Sequence, residues 1–135
     1  MSIDELKKKF FVDEDALKVR LEPIISKALL QCRIDKNGQV LITNRNLSGK
    51  DQLKLVLAAR AIASQLDPSV KAEVTTVEIG KYTGLPQNQI RARGKDATQE
   101  KFAESPKRGV YRAFVHRIED FLDDIAAKEK LKTKT

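Results

Sequence analysis

The stretch Thr75-Thr76-Val77-Glu78-Ile79-Gly80-Lys81-Tyr82-Thr83-Gly84-Leu85-Pro86-Gln87-Asn88-Gln89-Ile90 decides how the chain is read. Thr75 and Glu78 stand at the spacing at which a hydroxyl and a carboxylate cap a helix start reciprocally. Val77, Ile79 and Tyr82 carry a short helix that Thr83-Gly84 stops, because glycine enters the left-handed conformation of a helix end without a Cβ penalty. A second helix is expected at once, over about residues 86–97. Pro86 suits its first turn, where a missing amide hydrogen costs nothing, and Ile90 and Ala97 fall on one face with Gly94 between them. Two short helices about a tight turn hold the second one rigidly, with its far face free to enter a major groove.

From Thr76 to Ile90 the sequence resembles the core of winged helix-turn-helix transcription regulators. In that likeness Gly80 sits where the helices cross, Gly84 makes the turn and Ile90 is the buried anchor. Phe102 to Arg112 supply the two strands of the wing. The resemblance covers roughly Ser48 to Arg112 and implies a DNA-binding function, without naming an individual regulator. Two departures stand out. Gly94 and Ala97 occupy positions where such proteins place two leucines, and Lys101 replaces the customary glycine before the wing. Gly94 costs about 1 kcal/mol against alanine in a helix, so either the helix packs unusually close to a neighbour or it ends early and Lys95 to Glu100 are irregular.

With Ile90 pointing inward, Asn88, Arg91, Ala92 and Lys95 point away, and Gln87 and Gln89 lie near the helix start. Asn and Gln can pair with adenine edges and Arg with guanine, while Lys95 and the helix N-terminal amides suit phosphate oxygens. Ser105-Pro106-Lys107-Arg108-Gly109 is a turn-rich basic tip followed by Arg112, suited to phosphate or minor-groove contact. The candidate DNA-contacting set is therefore Gln87, Asn88, Gln89, Arg91, Arg93, Lys95, Lys107, Arg108 and Arg112. The bland alternative is a polar helix face and an ordinary basic hairpin that meet water or a protein partner. Tyr82 and Tyr111 are expected to pack rather than to stack on bases, because no aromatic stripe accompanies them.

The net charge of +7 is concentrated in this region. Between Lys81 and Arg117 nine basic residues meet three acidic ones, whereas the first eighty residues carry +2 and the last eighteen −1. A concentrated basic footprint is what a phosphate-binding face needs. DNA is the expected partner, with RNA second, and the competing reading is a protein-interaction adaptor whose basic surface meets an acidic partner. The chain reads as non-enzymatic. One histidine and one cysteine cannot build a nucleophile–base pair or a zinc site, and Leu47-Ser48-Gly49-Lys50-Asp51 lacks the upstream glycine and following hydroxyl of a phosphate-binding loop. No cofactor and no metal are expected. Cys32 reads as a small buried apolar residue, and His116 as a wall residue or an extra contact. Apolar runs such as Val56 to Ala59 are far too short for a membrane span, and Met1 to Phe11 is too charged for a secretory signal, so a cytoplasmic protein is expected.

The remaining segments give an α+β chain, mainly helical with small β-hairpins. Residues 1–47 form an N-terminal helix and hairpin extension, 48–112 the winged helix-turn-helix, and 113–135 a C-terminal amphipathic helix with a frayed tail after Lys128. Ser2 to Phe11 has the spacing of a short amphipathic helix, and Asp13 is placed to cap the next one, which Pro23 should kink or break. Asn37-Gly38, flanked by Cys32-Arg33-Ile34 and Val40-Leu41-Ile42, predicts a hairpin with a type I′ turn. Ser48 and Asp51 predict the start of a helix that runs to Leu66, before Asp67-Pro68. From Tyr111 onward, Phe114, Ile118, Phe121 and Ile125 recur at helical spacing opposite Glu119, Asp120, Asp123 and Asp124. That helix either closes the core or pairs with its twin in a homodimer.

Overall fold

The computed structural model describes residues 2–5 and 14–133. Most of the expected helix over Ser2 to Phe11, and the expected cap Asp13, lie outside the described residues. The elements, in order, are α1 (Glu14–Ala28), β1 (Cys32–Ile34), β2 (Val40–Ile42), α2 (Gly49–Leu66), β3 (Val74–Thr75), α3 (Thr76–Thr83), α4 (Gln87–Gln99), β4 (Ala103–Lys107), β5 (Val110–Ala113), a 3-10 turn (Val115–Arg117) and α5 (Ile118–Thr133). The chain is thus of mixed α and β type, with two small antiparallel sheets. One is the β1–β2 hairpin and the other is three-stranded in the order β3-β5-β4. Among the described residues no helix is long and apolar enough to cross a membrane.

Helix α2 is the hub. Ser48 caps it by accepting the Asp51 amide at 3.2 Å, a contact that contributes about 1 kcal/mol. Its residues from Leu55 to Ala63 are all buried, with Leu55, Val56, Leu57 and Ala58 fully enclosed. A helix apolar on every side needs neighbours on every side. Accordingly α1, both sheets, α3 and α4 all pack on it. Core side chains from the first hairpin (Cys32, Val40, Ile42), from the central elements (Leu53, Ile79, Ile90, Tyr111) and from α5 (Ile118, Phe121, Leu122, Ile125) form one continuous cluster.

Several local expectations need correction. Pro23 does not break its helix: α1 runs unbroken from Glu14 to Ala28. The proline is exposed while Leu21 and Ile24 on either side of it are buried. Tertiary packing therefore holds the helix against the hydrogen bond that proline removes. The first hairpin forms in the register Cys32↔Ile42, Arg33↔Leu41, Ile34↔Val40, but its turn is not type I′. Only Gly38 has a positive φ, at 81°. The Gly38 amide donates to Asp35 O and the Asp35 amide to Gln39 O, both at 3.0 Å, so the loop is a type I turn closed by a left-handed glycine. Asp35 drives this choice, because its Oδ1 accepts the amides of Asn37 and Gln39 at 2.9 Å each.

At the other end, α5 begins at Ile118 rather than near Tyr111. Tyr111 belongs to β5, and Phe114 precedes the 3-10 turn. The helix continues to Thr133, past Lys128, where fraying was expected. Lys128 Nζ meets Asp51 Oδ2 at 3.1 Å, and Lys27 of α1 bridges Glu119 and Asp123 at 2.8 and 3.0 Å. On the apolar face of α5, Ile118, Phe121 and Ile125 are buried in the chain's own core. Cys32 is buried as expected, and burial raises its thiol to about 11.

Candidate nucleic-acid interface

The capping box at the start of α3 forms in full: Thr75 Oγ1 accepts the Glu78 amide at 3.1 Å and Glu78 Oε1 accepts the Thr75 amide at 3.2 Å. Gly84, with φ at 76°, ends the helix by donating its amide to Gly80 O. Helix α4 starts one residue later than expected, with Pro86 in the capping position and Gln87 as the first helical residue. At Gly80 the two helices nearly touch, since a Cβ there would stand 2.9 Å from Gln87 Nε2 and 3.3 Å from Ile90 Cδ1.

Gly94 settles the two alternatives left by the sequence. Helix α4 does not end early but reaches Gln99. A Cβ on Gly94 would lie 2.6 Å from Tyr111 Cζ and 2.7 Å from its hydroxyl oxygen, so the buried tyrosine of β5 fills the space that a side chain would take. Lys101 then takes the left-handed conformation, with φ at 62°. Its amide donates to Thr98 O and the Phe102 amide to Ala97 O, the paired bonds of a Schellman motif with lysine in the glycine position.

The face of α4 away from Ile90, Gly94 and Ala97 is exposed. Asn88, Arg91, Ala92, Arg93 and Lys95 all lie on it, with Gln87 and Gln89 exposed at its start. Gln87 also has an internal role, donating from Nε2 to Thr76 O at 3.0 Å. The Thr76 amide in turn donates to Gly109 O at 3.0 Å. One residue, Thr76, thus joins the first turn of α4 to the Lys107-Arg108-Gly109 tip of the β4–β5 hairpin through its own carbonyl and amide. Lys107 and Arg108 are exposed at that tip. Pro106 is accommodated because β4 is an edge strand.

Ion pairing divides the candidates. The three carboxylates of the basic segment are each engaged: Asp96 with Arg93 at 3.3 Å, Glu100 with Lys50 and Lys54, and Glu104 with Arg112. Arg112 reaches Glu73 as well, at 3.0 Å, and so ties two carboxylates together across the sheet. Its partner Glu73 is held below the ordinary carboxylate range, mainly by a backbone hydrogen bond and with help from Arg112 and Lys71. Among the described residues Arg91, Lys95, Lys107 and Arg108 have no carboxylate partner. Lys81 joins them: it is exposed on α3, inside the basic segment but outside the candidate contact set.

The result is an exposed helix with amide and cationic side chains, beside a basic hairpin tip, in a segment whose own acids cannot neutralise them. Such a surface suits a polyanion with accessible base edges. Among the described residues no three His, Cys, Asp or Glu side chains are grouped as a metal ion would require. No family model, curated protein or solved structure matches the chain.

Proposed function

We propose that this chain binds duplex DNA through a winged helix-turn-helix, with α4 as the recognition helix and the β4–β5 hairpin as the wing. The order α2, β3, α3, α4, β4, β5 with the strand order β3-β5-β4 supports that architecture. The observation that carries the functional reading is the uncompensated cationic face: Arg91 and Lys95 point to solvent while Asp96, Glu100 and Glu104 are each paired elsewhere. Asn88 and Arg91 are the side chains suited to base edges, and Lys95, Lys107 and Arg108 those suited to phosphates. DNA is favoured over RNA on geometric grounds, because the B-form major groove admits a helix and the deep, narrow A-form groove does not. Gene regulation or chromatin association is the corresponding cellular role. The proposal assigns no catalytic residue and no cofactor.

Salt-titrated duplex binding tests it. The wild-type affinity should fall linearly on a log–log plot with added salt, and Arg91→Ala with Lys95→Ala should lower that slope by about 2. Binding that is absent at low ionic strength, or indifferent to salt, would overturn the proposal in favour of a protein-interaction adaptor.

A further inference from the structure

Beside the α3–α4 turn lies a cleft of about 650 Å³ that the expected interface does not include. One wall is the β1–β2 hairpin with the loop after it, contributing Arg33, Leu41 and Arg45, and the other is the end of α3, contributing Lys81, Thr83 and Gly84. Arg45 and Lys81 are exposed and have no carboxylate partner among the described residues. Arg33 donates only to main-chain carbonyls, those of Leu29 and Cys32, and so keeps its full charge. The single acid in the lining, Asp35, has Oδ1 engaged by the amides of its own turn. Leu41 stands opposite Arg33 in the hairpin and is 57% exposed, an apolar surface among cations. At Gly84 a Cβ would meet no atom within 4 Å, so bare backbone lines the cleft where it joins the turn into α4.

The walls are fixed to each other. Arg60 Nη1 donates to Gly38 O in the hairpin turn at 3.2 Å and to Glu78 Oε2 in α3 at 2.7 Å. A preorganised basic cleft with an apolar wall fits a sugar-phosphate strand better than a compact anion, because the cations are spread along it and the apolar side chain can cover sugar carbons.

We propose that this cleft holds the phosphodiester backbone of the same DNA, beyond the segment engaged by α4, so that the N-terminal hairpin is part of the binding surface. The inference rests on the DNA-binding reading above. Its experiment compares Arg45→Ala/Lys81→Ala with a charge-matched control at exposed lysines outside the basic segment, Lys71→Ala/Lys128→Ala, on one duplex of about 30 base pairs across salt concentrations. Each phosphate contact contributes about one to the salt slope. The cleft variant should therefore lose about tenfold less affinity than wild type between about 50 and about 200 mM salt, while the control matches wild type. Leu41→Glu, at an exposed position, should weaken binding at least as much. Circular dichroism should report the wild-type fold for all three variants.

If the wild type binds with a steep slope and the cleft variant keeps that slope, the cleft proposal is overturned and the α4 reading stands. If the control loses as much as the cleft variant, the effect is net charge and the cleft is again overturned. A wild type without salt-dependent binding would sink both together.

Discussion

Arg60 and Glu78 meet at 2.7 Å, and the same guanidinium also donates to the carbonyls of Gly38, Lys71 and Glu73. Arg60 is 6% exposed, and at the shared Glu78 oxygen only the Tyr82 hydroxyl adds a second, longer bond, at 3.5 Å. Arg60→Met keeps the apolar stem and removes every one of the guanidinium's bonds. It should destabilise the fold by about 2–4 kcal/mol in denaturant unfolding. Arg60→Lys should recover only part of that loss, since an ammonium cannot span the same acceptors.

The same pair predicts a pH dependence. Partial burial pushes the Glu78 carboxyl up, but hydrogen bonds from Arg60 and Thr75 outweigh it and hold the group below its ordinary value of 4.5. A carboxylate depressed in the folded state stabilises it fully above the unfolded value, and that contribution is lost as pH falls through the folded value. The thermal midpoint should therefore drop below about pH 4.5, and the drop should be smaller in Glu78→Gln. An equal acid response in the two proteins would show that Glu78 carries none of it.

Gly94 and Tyr111 give a test of packing. Gly94→Ala gains about 1 kcal/mol of helix propensity but drives a methyl group into a buried ring. The net effect should be a loss of about 1–3 kcal/mol. Combining it with Tyr111→Leu should restore part of the loss, which would appear as strong non-additivity in a double-mutant cycle. A Gly94→Ala protein more stable than wild type would mean that the tyrosine is free to move aside.

Lys101 sits in a conformation that glycine adopts without strain. Lys101→Gly should stabilise the protein by about 0.5–1 kcal/mol, the relief of left-handed strain exceeding the added entropy of the unfolded chain. A rise of a few degrees in thermal midpoint would report it, and a fall would contradict it.

Much of this architecture could be read from local signals. Ser48 with Asp51, and Asp67-Pro68, bounded α2; Thr75 with Glu78, and Gly84, bounded α3; turn residues placed both hairpins. These signals act within a few residues, where backbone preference and capping decide. The features that escaped are set by contacts distant in sequence. Strand β3 is only Val74–Thr75 and exists because β5 pairs with it. Pro23 stays helical because the residues around it are buried. Arg112 is paired with Glu73 and Glu104, and Gln87 is anchored to Thr76 through its amide nitrogen. Lys81, Arg33 and Arg45 belong to separate local segments, and only the folded chain brings the hairpin to the end of α3.

The most direct measurement is residue-by-residue mapping of backbone amide shifts by NMR as duplex DNA is added at low salt. The account predicts the largest changes at Asn88, Arg91, Ala92 and Lys95 and at the Lys107-Arg108-Gly109 tip, with Ile90 and Ala97 changing less. Perturbation confined to α5, or no perturbation at all, would contradict it.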